Sequence, residues 1–516
     1  MSEPRLGNLI TLLLPARSYK INCAWTTEKL MPGIEQFACR LLLIFDQLYP
    51  SELQNYFGLN DREREVLLDS LLANRLITIN PDGHIETSSF LRKHAASNDG
   101  KPSLVKYEER TEDVAFDLLT LSVCKPQSHR RVTSGLPELL PRDKIGTDNA
   151  SVIEAFSTQF RHHLLLSRNN EYERQRTQLY KVMGCNSQEM LQIPVEVEVS
   201  YNAVANSELQ KFTRSFEQTG NNRLPLANEL EAHIADFLGE LQLEESGLDC
   251  VEYCEAVRDP VLKQFSNGYQ FDYSSWIDAR DKRQTGYGNQ QTFGILGPVY
   301  LPDNAKRFIS ELRDALRNIE GPMMLKAMWY SSKVPLWGAN SSQLARFNRD
   351  LGSILDNQAD EQTARVTLLH SSNNNGESRL QRKHHLGRFA NGVGLSSNAE
   401  FDRLELLLIP GVIGLVQYHG QPNADSALTL PVGYITTDPE RLKSLEILLA
   451  NRIKGATATI TWSESKSETL ASLLSDDLLA ILDKKSGVDV DLAIRRQQKS
   501  ACSNAARAIL SLRNKS

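Results

Sequence analysis

Cysteine is sparse in this chain: seven residues in 516, at positions 23, 39, 124, 185, 250, 254 and 502. So odd and scattered a set argues against a disulfide framework and points to reduced thiols in a cytoplasmic protein. Only Cys250 and Cys254 are close, at the i, i+4 spacing of one helix face, and no second Cys or His pair accompanies them to complete a zinc set. Long apolar runs are also missing. The stretch 406–416 is broken by Pro410 and falls short of the ~20 residues a membrane span needs. The stretch 9–14 is shorter than a signal-peptide core, and polar sequence rather than a cleavage pattern follows it. Neither sign of charge dominates: 58 basic against 64 acidic residues leave a net charge of −6, so attraction for nucleic acid must come from local patches. Glycine-rich nucleotide fingerprints are absent, since Gly286 and Gly288 lack a third glycine. The expectation is a chain without cofactor, metal or membrane.

What is present is the composition of a folded globular protein, 41% hydrophobic and 24% charged, in a chain long enough for three or four domains. The expected architecture is α/β and multidomain. An N-terminal segment and compact module occupy 1–96, a mainly helical middle region 111–280, a mixed-sheet α/β domain 293–455, and a helical tail 456–516. In the middle region, 112–125 and 152–183 read as helices and 194–201, where Val and Glu alternate, as a half-buried strand. In the third region, strands at 293–300, 323–330, 365–370, 403–409, 413–418 and 432–436 alternate with helices at 302–318 and 341–356, and a helix follows Pro439.

The N-terminal module has the firmest local signals. Phe37, Leu41, Ile44, Phe45 and Leu48 recur at helical spacing before Pro50. A second helix, 51–57, starts on a Ser51 cap and leaves through Gly58, and a third starts at Asn60 with Glu63 placed to complete a capping box, burying Val66, Leu67, Leu71 and Leu72. The period then drops to two at 76–79, Asn80-Pro-Asp-Gly83 makes a turn, and 84–88 returns. Three helices followed by a β-hairpin resemble a winged helix, which implies DNA contact through the third helix. Arg62, Arg64 and Arg75 are the candidate contacts there, but Asp61, Glu63, Glu65 and Asp69 offset them, leaving protein docking or dimerisation as an equal reading.

Residues 295–450 resemble the phospholipase D superfamily, on the strand 403–409, the hairpin return 413–419 and the later strand ending Gly-Tyr-Ile-Thr-Thr-Asp438-Pro. That family uses an H-x-K-x4-D strand, its His forming a phosphoenzyme and its Lys stabilising phosphate charge. Here the His falls at Arg403, the Lys at Glu405 and the Asp at Pro410, with the family's small polar turn near 417–419. Arg403 cannot attack phosphorus and Glu405 repels it, so the resemblance implies a catalytically dead domain. Beside it, 371–398 reads as a loop carrying Arg379, Arg382, Lys383, His384, His385 and Arg388, a phosphate-binding arm or a solvated segment. His384 or His385 in a displaced catalytic role is the rival reading.

Winged helices joined to inactive domains of this kind resemble TrmB-like regulators, in which the second domain senses a ligand, and related domains occur in restriction and phage-defence assemblies. The resemblance therefore implies a non-catalytic DNA-binding or scaffold protein, an accessory subunit of a phage-defence or DNA-processing complex, with DNA and a protein partner or second copy as its partners. The alternatives are a metal-independent nuclease and a ligand-responsive transcriptional regulator. His84-Ile-Glu86 lacks the P-C-x-x-C of a deaminase, and Ser463 with Lys466 lacks the partners of an S-x-x-K enzyme. Basic clusters at 129–131, 161–163 and 495–496 read as solvated faces or nucleic-acid contacts.

Overall fold

The computed structural model describes residues 5–29, 31–97, 104–124, 135–140, 147–201, 228–317, 325–340, 342–356, 366–422, 427–464 and 468–483. The clusters at 129–131 and 495–496, Lys466 and the tail beyond 483 lie outside them. The chain is mixed α/β, with sixteen α-helices and four sheets among the described residues. It divides into two compact units, one of 1–13, 129–139 and 194–516, the other of 14–128 and 140–193.

The second of these units holds the N-terminal module. Helices Gly33–Phe45, Pro50–Phe57 and Asp61–Ala73 are followed by the hairpin Ile77–Ile79 and Ile85–Thr87, with Gln47–Leu48 as a third strand. The expected chemistry operates at several ends. Asn60 Oδ1 accepts the Glu63 amide at 2.9 Å while Glu63 returns to the Asn60 N–H at 2.9 Å, Gly58 leaves its helix at φ 64, and Gly83 closes the turn at φ 81. Two expectations are corrected. The second helix starts at Pro50, with Glu52 accepting the Tyr49 N–H, so Ser51 is not its cap. The first helix buries Ala38, Cys39, Leu41 and Leu42 and leaves Phe37 58% and Ile44 73% exposed; likewise Val66 is 63% exposed, and Leu67, Leu68 and Leu71 fill the core. Ala38 and Cys39 thus share the core face with Leu41 and Leu42, while Phe37 and Ile44 lie on the other side of the helix.

The same unit contains most of a four-stranded sheet in which 16–29 pairs antiparallel with 104–117. Helix Asn149–Ser167 covers one face through Val152, Phe156, Phe160 and Leu164, against Tyr19, Ile21, Trp25 and Phe116. The region expected to be mainly helical thus holds long strands: Leu104–Asp117 replaces a helix at 112–125, and helix gives way at Thr177 to the 25-residue strand Thr177–Tyr201. Its polar residues occupy the exposed face of a sheet, so pairing overrides local helix propensity.

The other unit is built on an eight-stranded sheet. Its order is Thr292–Leu296, Leu430–Thr436, Ile413–Gly420, Leu404–Ile409, Met328–Tyr330, Thr367–Ser371, Asn391–Leu395 and Ala458–Trp462. Met328–Tyr330, Thr367–Ser371 and Asn391–Leu395 run parallel; the remaining pairings are antiparallel. Leu404–Ile409 and Ile413–Gly420 are buried along their whole length, as central strands covered on both faces must be. Helices Pro302–Arg317 and Gln343–Asp356 bring Phe308, Leu312, Phe347 and Leu351 onto Trp329, Leu407 and Leu415. On the opposite face Tyr434 donates to Val257 O at 2.7 Å, and Tyr418 packs on Tyr253.

Residues 371–398 are not a loop. Asn374 caps helix Asn375–His385 by accepting the Glu377 amide, and Asn391–Leu395 is a strand. Residues 417–419, expected in a small polar turn, lie inside strand Ile413–Gly420; the turn is at 410–412, with Gly411 at φ 69.

Candidate functional site

A carboxylate in the middle of an apolar strand must find partners, because an unpaired buried charge costs several kcal/mol. Glu405 finds three. Its Oε1 accepts the Trp329 indole N–H at 2.7 Å, its Oε2 accepts the Trp337 indole N–H at 3.0 Å, and His419 Nε2 lies 2.7 Å from Oε2. Antiparallel pairing of Glu405 with Gln417 places His419 one strand across, and its Nδ1 meets Thr429 Oγ1 at 3.0 Å. Because Glu405 accepts from both indoles, Nε2–H is assigned as the donor to Oε2 from the network. Glu405 and His419 are 2% and 3% exposed. Both ring nitrogens of His419 are therefore occupied, and none is free to attack a phosphorus atom.

Beside this network lies a cavity of about 550 Å³. It opens at the carboxyl ends of two parallel strands, where Ser331 and Ser332 follow Met328–Tyr330 and Ser371 ends Thr367–Ser371, the edge at which α/β sheets commonly take ligands. Arg403 enters from the start of strand Leu404–Ile409, and His384, His385 and Arg388 from the end of helix Asn375–His385.

The two guanidiniums are buried, Arg403 at 2% and Arg388 at 7% exposure. Arg403 Nη2 donates to Glu244 O at 3.2 Å, and the group lies over the Tyr269 ring at 5.1 Å. Its Nε and Nη1 have no acceptor in hydrogen-bonding geometry, although the Tyr418 hydroxyl is close enough to feel the charge. Arg388 Nη2 donates to His384 O, and its Nε and Nη1 are likewise without a partner. Among the described residues no carboxylate makes an ion pair with either group. Burial lowers the Arg388 guanidinium to about 10, so it stays charged at neutral pH. Burial first, then the Arg388 charge, hold His385 well below the ordinary imidazole value, so its ring is neutral there. Ser332 Oγ and His385 Nδ1 are also unpartnered, and Lys333 stands exposed at the rim. Two carboxylates share the lining: Glu244, exposed, and Asp402, which burial raises and whose Oδ2 accepts Ser246 Oγ at 2.9 Å.

The structure separates the basic cluster read from sequence. Arg379, Arg382 and Lys383, at helical spacings of three and four, are exposed, whereas His385 and Arg388 are inside. Of the three positions that the phospholipase D resemblance aligns with catalytic residues, Arg403 lines the cavity, Glu405 is held by the indoles, and Pro410 sits in the hairpin turn. Trp329, Trp337, His419 and Ser332 escaped the sequence reading; the lone acid of Leu-Glu-Leu-Leu-Leu-Ile was the signal that buried partners exist.

In the N-terminal module Arg62 and Arg75 are exposed, and Arg64 is held by Gln54 at 2.6 Å and Asp61 at 3.2 Å. His84 stacks on Tyr49, and Glu86 accepts Asn80 Nδ2, so His84-Ile-Glu86 is hairpin structure. Cys250 and Cys254 are buried thiols against Ser266 Oγ at 3.1 and 3.7 Å. Among the described residues no group of three His, Cys, Asp or Glu could hold a metal, and no helix is long and apolar enough to cross a membrane.

No family model matches the sequence, and no curated protein matches it. Among solved structures the chain is similar to a phospholipase D family member, Nuc from Salmonella typhimurium, with 10% identity over 33% of this chain and 97% of that one and a TM-score of 0.19. It is also similar to TrmBL2, an archaeal chromatin protein described as showing a novel mode of DNA binding, with 9% identity over 83% of this chain and 94% of that one and a TM-score of 0.20. Scores this low place the chain in neither group.

Proposed function

We propose that this is a non-catalytic DNA-binding or scaffold protein, in which a winged helix over 37–91 is joined to a degenerate phospholipase D-like sheet domain. The observation that carries this reading is the closure of the Glu405 network. Where phosphodiester chemistry needs an imidazole with a free nitrogen and a cation beside it, the sheet presents a carboxylate consumed by two indoles, and a histidine with both nitrogens bonded. Incubation with plasmid or single-stranded DNA in EDTA is expected to give no cleavage. Cleavage lost in His385→Ala but kept in Arg403→Ala would overturn the inert reading.

The DNA side of the proposal rests on exposed cations. Arg379, Arg382 and Lys383 form a short solvent-facing group, and Arg62 and Arg75 another. Binding to duplex DNA is expected to weaken linearly in log–log salt plots, with a slope of roughly −0.9 per phosphate contacted. Changing Arg379, Arg382 and Lys383 together to Gln should weaken binding and flatten that slope by about one to three. Absence of binding at low salt would leave the scaffold alternative, in which the exposed Phe37, Ile44 and Val66 of the module meet a protein partner.

A further inference from the structure

We infer that the cavity between the 331–337 segment and Arg388 and Arg403 is a binding site for a small phosphate ester with a hydroxylated skeleton. The inference stands whether or not the protein binds DNA. Two cations from separate elements line one partly open cavity. Each spends Nη2 on a backbone carbonyl; Arg388 Nε and Nη1 have no further partner, and Arg403 has only the Tyr418 hydroxyl within reach of its remaining nitrogens. A buried guanidinium that forms no ion pair with a carboxylate is costly, and the cost falls when an oxyanion arrives. Its planar fork of donors matches a phosphate's oxygens better than a point charge does.

The remaining lining supports a phosphate over a simple carboxylate. Ser332 and His385 line the same cavity, each with a buried polar atom, Oγ and Nδ1, that lacks a partner, and Lys333 at the rim adds a third cation. Three cations against Glu244 and Asp402 leave an excess of positive charge for the ligand to neutralise. Asp402 is the reason to add hydroxyls. Its Oδ1 is unpartnered and accepts, and an accepting atom beside an anion site serves the ligand's alcohol groups rather than its phosphate. At about 550 Å³ the space far exceeds inorganic phosphate, and Val334, Leu336 and Trp337 give the organic part an apolar wall.

The test uses the full-length protein, with thermal unfolding and titration calorimetry at constant ionic strength. The probes are inorganic phosphate, ribose 5-phosphate, ribose and sodium chloride. Ribose 5-phosphate should raise the melting temperature most and phosphate less, while ribose and chloride have no effect. Arg403→Lys keeps the charge but loses the fork, and should weaken ribose 5-phosphate binding by roughly ten- to a hundredfold. Lys333→Gln, at an exposed position that leaves the fold intact, should weaken it less. Asp402→Asn should lower the preference of ribose 5-phosphate over phosphate. No response to either phosphate compound at millimolar concentration would overturn the inference. So would wild-type responses in both Arg403→Lys and Lys333→Gln, which would place the phosphate elsewhere.

Discussion

Replacing Glu405 with alanine is expected to destabilise the protein by about 3 to 5 kcal/mol, the range for removing one partner from a buried, hydrogen-bonded ionic group. The substitution takes the acceptor from the Trp329 indole, the Trp337 indole and His419 Nε2 together; Trp329 and His419 are buried in sheet strands and cannot turn to water, whereas Trp337, half-buried at the cavity, can. Each donor left dry costs about 1 to 3 kcal/mol, partly recovered as the imidazole changes tautomer and turns to Thr429. Against a total stability of roughly 5 to 15 kcal/mol, that is a large share. Glu405→Gln should cost less, about 1 to 3 kcal/mol, because the amide oxygen still serves one indole while its NH2 group faces a donor. Denaturant titration followed by tryptophan fluorescence is the measurement, with a fall in midpoint at unchanged slope as the expected form. A Glu405→Ala midpoint indistinguishable from wild type would show that the network contributes nothing, and the closure argument against catalysis would lose its physical basis.

How far the sequence revealed this arrangement depends on the distance between interacting residues. Asn60 with Glu63, Gly58 and the Asn80–Gly83 turn act within four residues, and their chemistry could be read directly. The same capping signal was present at Asn374 and Glu377 but was masked by a polar, Gly- and Asn-containing context, so a helix was read as a loop. The first helix shows a different failure. Its apolar residues occur on more than one side, and periodicity alone could not tell that Ala38 and Cys39 face the core while Phe37 and Ile44 face outward. Strands Leu104–Asp117 and Thr177–Tyr201 were hidden by their charge, since a sheet with one solvated face tolerates polar residues that also suit a helix.

The site was legible only in outline. Arg403 and Glu405 stand out in sequence because the phospholipase D resemblance aligns them with that family's His and Lys, and both prove to be buried. Their partners come from 76 positions away at Trp329 and 159 positions away at Glu244. No local pattern encodes such pairings. The structure also divides what the sequence presented as one basic segment: Arg382 and Lys383 face solvent, while Arg388, a turn beyond, enters the cavity. The proposed attraction for a polyanion and the proposed recognition of a small anion therefore rest on different residues of the same stretch, and substitutions can separate them.

Trp329 is where packing and polar closure meet, so its two substitutions should give different answers. The side chain is fully buried, edge-on to Trp337, Phe347 and Phe389 at centroid distances of 5.8, 5.7 and 5.5 Å, and it donates to Glu405. Trp329→Ala opens a cavity among these rings and should cost about 3 to 5 kcal/mol. Trp329→Phe keeps most of the apolar contact but removes the N–H, leaving Glu405 with Trp337 and His419; about 1 to 2 kcal/mol is expected, much of it from one lost hydrogen bond to a charged acceptor. A double-mutant cycle of Trp329→Phe with Glu405→Gln, read by denaturant midpoints, should return a coupling of about 1 kcal/mol or more, because the residues share a single bond. Additive effects would mean that the indole is held by ring packing alone. The carboxylate would then be held chiefly by His419 and Trp337, and those two substitutions would become the ones to couple with Glu405.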